Sequence, residues 1–184
     1  VRRSILGPGK KISAAAIRQI PLLSSFNVGG FEVEAFPVCH DAPETIGFHI
    51  CAGKRKITIA TDLGHICETA ASYIRAADIL VLESNYDRQM LDEGAYPHFL
   101  KARIKSDHGH LDNRQASEFL ADMANHNLTT VCLAHLSRNN NTPELALETL
   151  QKTFSEKGIM PGYRPQVKIL NRDVPTGIFS DPGE

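Results

Sequence analysis

Tryptophan is absent and aromatic residues make up only 7% of the 184-residue chain, an absence that by itself says nothing about chemistry. Cysteine is scarce too. Cys39, Cys51, Cys67 and Cys132 stand singly, without the C-x-x-C pairs of a zinc ribbon or the density of a disulfide framework. That excludes a stapled secreted scaffold and points to a reducing, cytoplasmic setting with buried thiols. Neither sign of charge dominates: 20 Lys plus Arg face 21 Asp plus Glu, so overall charge argues neither for nor against a nucleic-acid partner, and any basic surface is local. No stretch approaches the ~18 uninterrupted apolar residues of a membrane-spanning helix, so no membrane partner is expected. Val1-Arg2-Arg3 is basic, yet no apolar core of an export signal follows it. With 42% apolar residues, the chain has the make-up of one soluble globular domain.

Histidine is what the chain does have, eight in all, several beside Asp, Gly or Asn at the ends of apolar runs. Residues 1–30 read as an irregular lead-in holding Gly7-Pro8-Gly9, a short Ala14–Ile17 helical stretch and Gly29-Gly30. They contain no complete supersecondary unit, so the chain is expected to start inside a fold, with residues 1–184 forming a single partial domain. From Phe31 to Val38 the alternation predicts a half-buried strand, and Ile46–Ile50 with Ile57–Ala60 predict an antiparallel hairpin around Gly53. Ile66, Ala70, Tyr73, Ile74 and Ala77 give one helix, and Ile79–Leu82 a central strand. Ala116 to Ala124 give a second helix with Asn113 placed to cap it, and Thr129–Ala134 another strand. Thr142-Pro143 opens a third helix that Gly158 stops; Gln166–Leu170 is a last strand, and residues 171–184 an irregular tail.

Four of these strands end in a residue suited to metal or proton chemistry: His40, Asp62, Glu83 and His135. Loops at one rim of a sheet bring such residues together from distant parts of a chain. Imidazole with carboxylate suits Zn²⁺ or Mn²⁺, and an Asp can bridge two ions. Two ions about 3.5–4 Å apart activate a water and stabilise a leaving oxygen. Each residue singly also has an ordinary reading: His40 as a loop histidine bonded to Asp41, Asp62 as a turn or cap residue, His135 as a strand-end histidine with a backbone partner. His49, His98 and His126 read as structural or solvated.

The order His40-Asp41-Ala42, Thr61-Asp62-Leu63-Gly64, Leu82-Glu83-Ser84-Asn85-Tyr86-Asp87, Gly109-His110-Leu111-Asp112-Asn113 and His135-Leu136-Ser137-Arg138-Asn139-Asn140-Asn141 resembles the metallo-β-lactamase-fold hydrolases. It is most similar to their YycJ/WalJ-type branch, over about Phe31 to Gly158. The resemblance implies an α/β fold, an αββα metallo-β-lactamase sandwich with a two-metal site at the sheet edge. His40 would bind the first metal, Asp62 bridge both, and His135 bind the second. It also implies that His110 donates a proton to the leaving group while Glu83 orients it. Asn85, Asp87, Ser137, Asn139 and Arg103 are candidate substrate contacts. Arg88, Lys101, Lys105 and Arg138 are further cations for a phosphate backbone.

The family's H-x-H-x-D-H motif should precede His40, but no histidine does, so the chain resembles the C-terminal part of the domain, lacking its N-terminal strands. His108-Gly109-His110-Leu111-Asp112 spells H-x-H-x-D in the wrong place and reads as a decoy, with Asp112 an extra negative charge of open role. The expectation is a metal-dependent phosphodiester hydrolase, a DNA exonuclease of the YycJ/WalJ type using two divalent ions, inactive as an isolated chain. A missing N-terminal segment or a second subunit would complete it. Alternatives are a small-molecule ester, thioester or cyclic-nucleotide hydrolase on the same scaffold, and a non-catalytic half-domain serving as an interaction module.

Overall fold

The computed structural model describes residues 19–123, 127–160 and 165–177. The edge strand β1 (Ser25–Val28) and its neighbour β2 (Phe31–Pro37) are joined through Gly29, whose φ of +60° supplies the left-handed turn. β3 (Ile46–Ala52) and β4 (Arg55–Ala60) form the expected hairpin, turning at Gly53 with φ +61°. Then the connections change character. α1 (Glu68–Arg75) carries the chain over to β5 (Ile79–Glu83). Three helices, α2 (Arg88–Glu93), α3 (His98–Ile104) and α4 (Asn113–Asp122), lead to β6 (Thr130–Ala134), and α5 (Pro143–Glu156) to β7 (Gln166–Ile169). The strands form one seven-stranded sheet in chain order, antiparallel from β1 to β4 and parallel from β4 to β7. Hairpins suffice for the first half, whereas parallel pairing requires the helical crossovers of the second.

One face of this sheet holds the core. Leu80 and Leu82 of β5 and Val131 and Leu133 of β6 pack with Ala70 and Ile74 of α1, Leu120 of α4 and Leu150 of α5. Burying each large side chain contributes about 1.5–3 kcal/mol. On the opposite face Phe48, Ile50, Ile57, Ile59 and Val81 are only half-buried. The mixed sheet with flanking helices is the α/β arrangement expected, and among the described residues it is a single sheet.

Several elements differ from expectation. Ser25–Val28 lies in the expected lead-in yet forms β1, because its pairing with β2 and not its own pattern makes it a strand. α2 and α3, of six and seven residues, are too short to show helical periodicity. The cap of α4 is Asp112 and not Asn113: its carboxylate accepts from the Gln115 backbone N–H, and the Gln115 side chain returns to the Asp112 N–H. Of the four thiols only Cys132 is buried; Cys39, Cys51 and Cys67 are half-buried. The Ala14–Ile17 stretch and His126 lie outside the described residues.

Candidate metal centre

Asp62, Glu83 and His135 stand at or just beyond the C-terminal ends of β4, β5 and β6, three adjacent parallel strands, so sheet register alone sets them side by side. Asp62 and His135 leave their strands in the left-handed region, at φ +57° and +58°. Non-glycine residues adopt that conformation at a cost, and such strain gathers at functional sites. The His135 carbonyl is held by the Asn85 side-chain amide (2.7 Å), and the Ser137 N–H donates to the Asn85 carbonyl (2.6 Å). His40 arrives from beyond β2 and His110 from the loop before α4. Gly64 and Gly109 let these loops meet: a Cβ on Gly64 would lie 2.5 Å from the Asp107 backbone, and one on Gly109 2.1 Å from the Ile104 carbonyl.

Glu83 is fully buried and all of its accepting capacity is directed. Oε1 accepts from Nδ1 of His110 (2.8 Å) and from Nδ1 of His135 (2.6 Å). Oε2 accepts from the backbone N–H groups of Leu63 (2.9 Å) and Leu111 (3.3 Å). Burial, the largest influence on Glu83, pushes its pKa up, but the two imidazole hydrogen bonds outweigh it and the carboxyl is held below its ordinary value. The same hydrogen bond raises the His135 pKa. His40 is oriented in the same manner by another acceptor, its Nδ1 donating to the Gly109 carbonyl (2.8 Å).

With each Nδ1 so engaged, the three histidines present Nε2 to the solvent side of the site. Nε2 of His135 lies 3.6 Å and Nε2 of His40 4.0 Å from the same Asp62 oxygen. These are too long for hydrogen bonds but close to the roughly 3.4 Å that separates two ligands sharing one tetrahedral ion at bonds of about 2.0–2.2 Å. Donor atoms of Asp62, Glu83, His110 and His135 all lie within 4.8 Å of one another, a candidate metal-binding group among the described residues. Glu83 is the member whose oxygens are already committed, which suits it to orient ligands. The donor set, imidazole Nε2 and carboxylate, fits a borderline divalent cation.

A cavity of about 350 Å³ opens on this cluster, lined among others by His40, His110, His135, Asn85 and Ser137. Arg103 also lines it, but Asp41 grips its guanidinium with both carboxylate oxygens. That hydrogen bond is the main reason the Asp41 pKa is lowered. Asn139 stands outside the cavity and donates to the hydroxyl of Tyr96, which lines it (2.9 Å). The structure does not bring Asp87 to the site: its carboxylate caps α2 by accepting from Met90 N–H (2.8 Å). Nor does it bring Asp112 there, whose buried carboxylate caps α4 and pairs with Arg88. Lys101 and Lys105 both bond Asp92. His49 lies in the core against Thr58 and His98 is exposed. Sequence reasoning did not single out Asp41 as a partner of Arg103, nor Arg172, which lines the cavity together with Tyr96; no local pattern marks either.

Comparison with known proteins agrees with this geometry. The chain is 37% identical over 150 residues to the exodeoxyribonuclease YycJ of Bacillus anthracis, covering 82% of this chain and 57% of that protein. It is 30% identical over 148 residues to the exodeoxyribonuclease WalJ of Streptococcus pneumoniae, covering 80% and 55%. The chain thus spans little more than half the length of these relatives. Among solved structures, the metallo-β-lactamase fold protein YhfI of Bacillus subtilis superposes with a TM-score of 0.58 at 16% identity, covering 86% of this chain and 53% of that one. Zn²⁺-bound PqqB of Methylobacterium extorquens gives 0.56 at 17%, covering 88% and 55%. The family model described as the beta-lactamase superfamily domain matches residues 5–135, beginning earlier and ending sooner than the motifs suggested, and the chain belongs to that superfamily, on its YycJ/WalJ-like side.

Proposed function

We propose that this chain carries one wall of a metal-dependent phosphodiesterase site acting on DNA, an exonuclease of the YycJ/WalJ kind. The observation that carries the proposal is the single Glu83 oxygen that accepts from both His110 and His135 and so aims two Nε2 atoms at the cavity. His40 and His135 would hold divalent ions, zinc or manganese, and Asp62 would be the carboxylate shared between two of them. Bound ions lower the pKa of water and neutralise charge on a phosphate. His110 protonates the departing oxygen: Glu83 fixes its Nδ1–H, which leaves Nε2 as the exchanging position, and the buried carboxylate stabilises the imidazolium before transfer. Ser137 and Asn85 border the substrate, and Arg103 steadies Asp41 beside His40. Three donors are fewer than two ions require, so the proposal includes a complementary segment or second subunit that supplies the rest. A reducing, cytoplasmic location suits the four unpaired cysteines. No helix among the described residues is long and apolar enough to cross a membrane.

The test, made with the complementary segment or subunit present, is hydrolysis of an end-labelled DNA duplex with added Mn²⁺ or Zn²⁺, beside a panel of small esters, thioesters and cyclic nucleotides. His135→Ala, with its circular dichroism unchanged, is expected to reduce DNA cleavage at least 100-fold. Undiminished cleavage overturns the assignment, and turnover confined to the small esters moves the substrate class.

A further inference from the structure

Three arginines line the cavity, and two of them are already neutralised. Arg103 is clamped by Asp41, and Arg138 pairs with Asp173 (2.8 Å). Arg172 has no carboxylate within ion-pair distance among the described residues, and it lines the same cavity as His135. The sheet explains its position. Leu170 N–H donates to the Leu133 carbonyl (2.9 Å), continuing the β6–β7 ladder, and that register, carried two residues past Leu133, sets His135 opposite Asn171, the residue just before Arg172. The turn that follows is fastened twice, by the Arg138–Asp173 pair and by the Asn171 N–H donating to the Thr176 hydroxyl (3.1 Å). Tyr96, Leu100 and Ile104 also line the cavity and give it aromatic and apolar surface suited to a sugar or base. A guanidinium without an ion-pair partner among the described residues, lining such a cavity, matches a phosphate oxygen pair in charge and in fork geometry.

We propose that Arg172 binds a backbone phosphate of the substrate strand, with the Arg138–Asp173 pair as the brace that positions it. The inference rests on the phosphodiesterase reading and adds a contact from beyond the portion matched by the family model.

Binding of fluorescein-labelled oligothymidylate in EDTA, followed by anisotropy across a potassium chloride series, tests the contact without turnover. Arg172→Gln is expected to weaken binding about tenfold, the scale of one charge-assisted hydrogen bond. It should also flatten the plot of log affinity against log salt by about 0.7, the contribution of one phosphate contact on a single strand. Arg172→Lys should keep the slope and lose part of the affinity. A slope unchanged in Arg172→Gln overturns the proposal, since a merely structural role leaves the count of released ions alone. Cleavage by the unaltered protein, with its complementary segment or subunit present, is measured in parallel. Cleavage with an unchanged slope removes the Arg172 contact only, whereas the expected slope with no cleavage under Mn²⁺ or Zn²⁺ removes the hydrolase reading and leaves the contact standing.

Discussion

Glu83 shows how much a single side chain organises here. Glu83→Gln keeps the shape but replaces one acceptor oxygen by a donor amide, so either the two imidazoles or the two backbone N–H groups lose their partner. A loss of about 10–100-fold in metal affinity or turnover is expected, read by metal titration and kcat. A different histidine governs acid stability. His49 is buried against Thr58, and burial is the leading cause of its lowered pKa. The unfolded chain takes up this proton near pH 6.5 while the folded one resists it, so stability is full above about pH 6.5 and declines as the pH falls towards the folded value. Urea midpoints at pH 7.5 and 5.5 should therefore converge in His49→Gln relative to the unaltered protein. His40, Asp62, Glu83 and His135 were legible as strand-end residues from apolar patterning. The second hydrogen bond of Glu83, to His135, and the place of Arg172 beside it were not, because partners 52 residues apart along the chain or on a neighbouring strand leave no trace in local order.

At the level of elements, the start of α4 separates what spacing can tell from what only packing decides. Asp112 and Asn113 are both capping residue types, and Asn113 was the one expected from the sequence. The deciding signal was present: Gln115 falls three residues after Asp112, the spacing of a capping box. Asp112 also neutralises Arg88, which answers the open question about its charge. Asp112→Ala removes the cap and leaves that guanidinium unpaired, so a loss of about 2 kcal/mol is expected in denaturant unfolding, and Asp112→Asn should recover part of it. The long strands and the three longer helices follow from periodicity. β1, α2 and α3 do not, since neighbours and not their own residues define them.

Across the whole molecule, the antiparallel half provides His40 while the parallel half provides Asp62, Glu83 and His135, so the candidate centre exists only when both halves are docked. A cation held there binds the native state and not the unfolded chain. Mn²⁺ or Zn²⁺ should therefore raise Tm in proportion to the logarithm of its concentration, with EDTA reversing the gain and Asp62→Ala abolishing it. The half-buried Phe48, Ile50, Ile57, Ile59 and Val81 mark the other face as the less covered one, which sequence patterning does not reveal because in β3 and β4 the larger apolar side chains lie on that face while Gly47, His49, Thr58 and Ala60 are the buried ones. The strand order also sets a timetable during synthesis. Glu83 leaves the ribosome 52 residues ahead of His135, an interval of roughly 3–10 s at ordinary translation speeds. During that delay the nascent polypeptide carries its acidic groups without their last imidazole, so a premature stop before β6 would release a product unable to assemble the candidate centre.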